Sequence, residues 1–225
     1  MTGTLANSGA ILIGSLIGIF AGKRVPERIK RILMQALGLS VIVIGIQMAV
    51  TGSNMVVLVG CLLFGALTGE IIDIERKLER IGSWLKTRFR SDSSSFVQGF
   101  VSASILYLTG AMVIVGSIQD GTAGDPRILY VKSLLDGVAS VALASSLGAG
   151  VALSAVSVLV VQGSITLLAS QLLFLQRPNI LDAITATGGV LIVGIGINIL
   201  EIRQIRVGNF VPAILYAVIW EALRT

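Results

Sequence analysis

Histidine is absent from this 225-residue sequence, and cysteine occurs once, as Cys61 inside an apolar run. Without histidine there is no Ser/His/Asp triad and no imidazole ligand for haem or zinc, and one cysteine cannot close an intramolecular disulfide. Cys61 is read as a small packing residue. Charge is scarce as well: 13% of residues are Asp, Glu, Lys or Arg, against about a quarter in an average soluble domain. A Walker loop, a strand-linked GxGxxG, an HExxH and a GxSxG are all missing, which removes the usual signatures of nucleotide, dinucleotide, zinc-protease and hydrolase chemistry. The chain is therefore not expected to be an enzyme, to use a cofactor or to hold a resident metal.

What is present is apolar length. Hydrophobic residues make up 54% of the chain and the mean hydropathy is +0.92. They fall in runs of about twenty, the length that crosses a ~30 Å hydrocarbon core at 1.5 Å per residue. Runs bounded by charge or turn residues place spans near 4–22, 32–51, 55–73, 97–118, 130–148, 151–173, 181–200 and 207–223. The expected fold is all-α: one polytopic membrane domain of about eight transmembrane helices over residues 1–225. The first run lacks a basic segment before it and is followed by Lys23 and Arg24, so it is expected to stay as a helix. The weakest boundary is Gly148-Ala149-Gly150, where spans five and six either separate or form one kinked or re-entrant element.

Basic residues set the orientation, because cytoplasmic loops accumulate them. With the N-terminus outside, thirteen of the seventeen Lys and Arg residues fall on inner loops. An even number of spans then puts both termini outside an inner, plasma membrane. The net charge of +5 is thus spent on orientation, and nucleic acid is not an expected partner. Within the inner loop, Ile74, Leu78, Ile81, Leu85 and Phe89 recur at helical spacing among basic residues. Residues 74–95 read as an amphipathic helix on the inner leaflet followed by a serine-rich linker.

Two spans resemble each other. Gly38 to Gln47 and Gly189 to Asn198 both read Gly, six residues, Gly-Ile-amide. Spans 1–3 and 6–8 are accordingly expected to be inverted copies, the construction by which many transporters build two exchanging faces. Glycine-spaced faces, such as Gly14, Gly18 and Gly22, suit close helix contact and a homodimer is an expected assembly.

Charges inside apolar spans cost about 2.5–3.5 kcal/mol each on insertion scales and are usually kept for a function. Lys132 and Asp136 stand four residues apart on one helix face. Asp136 is the candidate cation or proton site, with Lys132 compensating it when empty; the competing reading is a structural ion pair. Asp120 with Gln119 is expected to guard the outer entrance, and Asn7, Gln47 and Asn198 to line a path. The function expected on these grounds is secondary transport or conduction of a small ion or solute. The alternative is a non-transporting scaffold, sensor or subunit that works through its basic amphipathic segment.

Several ordered blocks also match a known pattern: Gly3-Thr-Leu-Ala-Asn7, Gly22-Lys-Arg-Val-Pro-Glu-Arg28, Met34-Gln-Ala-Leu-Gly-Leu39, Gly69-Glu-Ile-Ile-Asp-Ile-Glu75, Gly110 to Gly121, Lys132-Ser-Leu-Leu-Asp-Gly137 and Gly194-Ile-Gly-Ile-Asn198. Over essentially the whole chain these resemble the YqgA/YdfK family of uncharacterised bacterial membrane proteins. The resemblance implies a bacterial inner-membrane location and a transport protein of unspecified substrate, and it supplies no site residues.

Overall fold

The computed structural model describes residues 1–22, 26–51, 54–88 and 95–224, apart from the side chains of Glu27 and Lys30. Lys23, Arg24, Phe89, Arg90 and the first four residues of the serine-rich linker lie outside the described residues. Among the described residues there is no strand, and ten α-helices follow in order: α1 (Thr2–Gly22), α2 (Glu27–Ala49), α3 (Met55–Ile72), α4 (Ile74–Arg88), α5 (Phe96–Leu108), α6 (Ala111–Thr122), α7 (Arg127–Leu147), α8 (Gly150–Leu167), α9 (Pro178–Ile199) and α10 (Pro212–Arg224). Seven segments of this set are long and apolar enough to cross a membrane, and α5 with α6 forms a further, bent pair. The protein is an all-α membrane protein.

Local chemistry explains where the helices stop. Asn54 caps α3 by accepting from the Val56 amide, and Asp73 closes it in the left-handed conformation at φ 58°. Pro178 opens α9, where a missing N–H costs nothing. The span expected at 97–118 is instead broken: α5 and α6 meet at 65° across Thr109-Gly110, and Gly110 sits at φ 113°, a conformation that a side chain disfavours. The helix expected to reach 173 ends at Leu167.

The chain divides into two compact units, with divisions inside α2 and α4, on either side of the α5–α6 break and in the segment between α8 and α9. The first comprises Met1–Met34, Glu79–Leu108 and Met112–Leu173. In it α1 runs parallel to α7: a Cβ on Gly14, Gly18 or Gly22 would collide with the carbonyl oxygens of Gly137, Val141 and Ser145 in turn. Successive four-residue steps on both helices keep register, so the backbones lie in direct contact, as small residues permit in lipid. Against α8, α1 runs antiparallel, with Thr4 beside Thr166 and Asn7 beside Gln162. Helices α7 and α8 are therefore two spans joined by a turn, at which Gly148 takes φ 76°.

The bent pair packs along α8. The start of α5 packs on the start of α8, since a Cβ on Gly150 would strike the Phe96 carbonyl. The end of α6 packs on the end of α8, since one on Gly121 would strike Thr166. Together α5 and α6 thus travel the length of α8 and form one broken span, not a re-entrant loop.

The second unit comprises Gln35–Leu78, Thr109–Ala111 and Phe174–Thr225. Here α2 and α9 cross antiparallel through four glycines: a Cβ on Gly45 would lie 2.7 Å from the Gly189 oxygen, and one on Gly196 would lie 2.9 Å from the Gly38 oxygen. The glycines shared by the two similar sequence segments are the ones that meet. Helices α3 and α10 are also antiparallel, with Gly65 against Ala213 and Gly69 against Asn209.

Candidate functional site

The polar residues of the first unit converge at one end of α1, α7 and α8. Three helices are needed to assemble the group, and the glycine seam of α1 on α7 brings Asn7 within reach of Asp136. Lys132 and Asp136, one turn apart on α7, form an ion pair, and each is more than 90% buried, at 5% and 8% exposure. The Asn7 amide nitrogen donates 3.0 Å to Asp136 Oδ2 and 3.0 Å to Gln162 Oε1. Gln162 Nε2 in turn donates 3.1 Å to Thr4 Oγ1, which lies 3.2 Å from the Thr166 hydroxyl.

Two amides in series fix their own orientation. Were the Asn7 side chain flipped, its oxygen would face the Asp136 carboxylate, so the nitrogen must point there. Its oxygen, Oδ1, is then buried without a hydrogen-bond partner. A vacant acceptor beside a carboxylate suits a cation, a proton-bearing group or a water, and repels an anion.

Asp120 lies toward the same end of the unit, 5% exposed. Its Oδ2 accepts from the Gly3 amide at 3.1 Å and sits 2.9 Å from the Met1 amino nitrogen. Gln119 is half-buried, and its carbonyl accepts from the Ala123 and Asp125 amides. Asp125 itself is paired with Arg127, whose guanidinium donates at 2.9 and 2.6 Å. Those bonds hold the exposed Asp125 carboxyl down at about 2.

Of the seven residues singled out from sequence, Asp136, Lys132 and Asn7 form one bonded group, and Asp120 and Gln119 belong to the same unit. Gln47 and Asn198 belong to the second unit. Gln47 is exposed on α2. Asn198 clamps a loop, donating 2.8 Å to the Ile205 carbonyl and accepting 2.7 Å from the Ile205 amide. Thr4, Gln162 and Thr166 were not among the site residues, although Gln162 stands out as an amide in an apolar run; their partners lie 155–162 residues away. Among the described residues no group of three or more His, Cys, Asp or Glu is placed to hold a metal.

The second unit carries its polar residues at a helix corner. Asn209 donates 2.6 Å to Glu70 and accepts 2.7 Å from the Glu75 amide. The Gly208 amide donates 2.5 Å to the Glu75 carboxylate, and Arg206 donates 2.8 Å to Glu70. These bonds tie the first turn of α4 to the segment that precedes α10. The later part of α4, which belongs to the first unit, exposes Trp84 and Ile81 among its basic residues.

A family profile described as "Protein of unknown function (DUF554)" matches residues 2–222. The chain is 32% identical over 220 residues to the "Uncharacterized protein YqgA" of Escherichia coli (strain K12), covering 96% of this chain and 94% of that protein. It is 30% identical over 220 residues to the "Uncharacterized membrane protein YdfK" of Bacillus subtilis (strain 168), covering 96% of this chain and 93% of that protein. No solved structure matches.

Proposed function

The chain belongs to the DUF554 family, and from that premise we propose that it is a secondary transporter or ion-conducting protein of the bacterial inner membrane, with a cation or proton site at Asp136. The observation that carries this reading is the buried Lys132–Asp136 pair, cross-linked by Asn7 and Gln162 to two other spans. Held only for stability, a buried ion pair is a poor investment, since apolar side chains of similar volume do as well or better. The intramembrane position makes function the default explanation. Asp136 binds the cation, Lys132 neutralises it when the site is empty, and Asp120 with Gln119 stands at the outer entrance. The orientation that goes with this reading has the basic loops and α4 on the cytoplasmic side and both termini outside.

Purified protein in proteoliposomes, under imposed proton, sodium and potassium gradients, provides the test. Flux in the unaltered chain is expected to disappear in Asp136→Asn. A second reading, favoured by the exposed Trp84 and Ile81 of α4, is that this helix is the working surface on anionic lipid. Neutralising Arg80 and Lys86 is then what abolishes function, with Asp136 dispensable.

A further inference from the structure

We propose that the species moved through the first unit is a proton, and that the Tyr107–Ser140 hydroxyl pair is the relay that receives it from Asp136. This deepens the reading above and rests on it. Ser140 follows Asp136 by four residues on α7, so the two share a face about 6 Å apart, a gap that one water spans. Across from it, the Tyr107 hydroxyl near the end of α5 lies 2.7 Å from Ser140 Oγ. Tyr107 is 1% and Ser140 0% exposed.

The α1 side adds a second observation. Gly14 lets α1 settle on Ser140, to whose Cβ a Cβ at Gly14 would come within 3.2 Å. The next residue, Ser15, carries a fully buried hydroxyl with no hydrogen-bond partner. Asn7 Oδ1 and the Ser8 hydroxyl, nearer the outer end of α1, are also buried and unpartnered. Such groups are stabilised when water or a moving proton engages them.

The chemistry of these groups favours a proton over an alkali ion. A hydroxyl accepts a proton on its oxygen while releasing its own, so a file of carboxylate, water and two hydroxyls passes a proton without opening. Hard cations instead take about six oxygens at once, whereas the Asn7 and Gln162 amides here are tied to one another and to Asp136 and Thr4. In the transfer, a proton from outer water adds to the Asp136 carboxylate, and the Lys132 ammonium is left without its negative partner. The carboxyl then gives the proton through water to Ser140, which passes its own hydroxyl proton to Tyr107. Tyr107 in turn releases one to water beyond it. One proton enters, one leaves, and no electron moves.

Proteoliposomes holding an internal pH dye, driven by a potassium diffusion potential, test this with Tyr107→Phe, Ser140→Ala, the double variant and Asp136→Asn. Each single relay variant is expected to slow proton uptake by about tenfold or more, with thermal unfolding in detergent earlier in each single variant, which strands the other buried hydroxyl, and closer to the unaltered chain in the double variant, which removes both. The double variant is expected to be no slower than the slower single, as for two steps of one path. Proton uptake at the unaltered rate in both relay variants, with loss in Asp136→Asn, overturns the relay and leaves the Asp136 reading standing. So does a double variant whose losses multiply. Sodium or potassium flux that depends on Asp136 without proton uptake overturns the proton assignment alone. Absence of any flux dependent on Asp136 overturns both.

Discussion

The two compact units use the same helical material in opposite ways. The first buries three charges: Lys132, Asp136 and Asp120 are each at most 8% exposed, Asp136 being paired with Lys132 and bonded by the Asn7 amide, and Asp120 by the Gly3 amide. The second packs through glycine contacts and an apolar cluster of Cys61, Ala183 and Ala217, and Glu70, Asp73, Glu75 and Arg206 gather at its α3–α4 corner, where Glu70 and Arg206 are more than half exposed. In a membrane the first arrangement is costly and the second cheap. Among the described residues only the first unit buries charged side chains, and the ion site proposed above is assigned to it on that ground.

Substitutions that remove one partner from each kind of contact sharpen the contrast. The largest effect is expected from Lys132→Met, which leaves a buried carboxylate unpaired and costs about 3–5 kcal/mol by analogy with buried pairs in soluble proteins, read as a loss of thermal stability in detergent. Gly69→Ala comes next: its methyl collides with the Asn209 carbonyl, and overpacking of this kind costs about 1–3 kcal/mol. Gly60, near which a Cβ meets nothing within 4 Å, gives the matched control, and Gly60→Ala should leave unfolding unchanged or slightly later. Glu70→Gln, which breaks the exposed pair with Arg206, is expected to shift stability by no more than about 1 kcal/mol. Were it to cost as much as Lys132→Met, the distinction between the two units would fail.

The smallest effect concerns Asp125. Its pKa is held down to about 2 by Arg127, so the pair favours the folded protein above the ordinary carboxylate range and that preference is lost as pH falls through about 2. Carboxyl-carbon NMR should show this midpoint in the unaltered chain and one returned toward 3.8 in Arg127→Gln. An unshifted midpoint in the unaltered chain would dissolve the pair.

Apolar run length made the spans legible, because the bilayer imposes one length on every crossing. The buried pair was legible too, since an i, i+4 spacing on one helix needs no tertiary knowledge. What escaped was tertiary. Gln162 and Thr4 acquire their roles only through partners more than 150 residues away. Asn198 carries the same local signal as Asn7, yet its amide closes a loop onto Ile205. The break at Thr109-Gly110 left only one glycine as a sign, in a chain of 26 glycines where most serve packing. The similarity between the Gly38–Gln47 and Gly189–Asn198 segments has a physical basis in the α2–α9 crossing, where each helix needs glycine at the same two contact points.

The most direct measurement is ion flux into proteoliposomes under imposed proton, sodium and potassium gradients, comparing the unaltered chain with Asp136→Asn at equal incorporation. An Asp136-centred site predicts a flux in the first that is lost in the second; equal flux in both would contradict it.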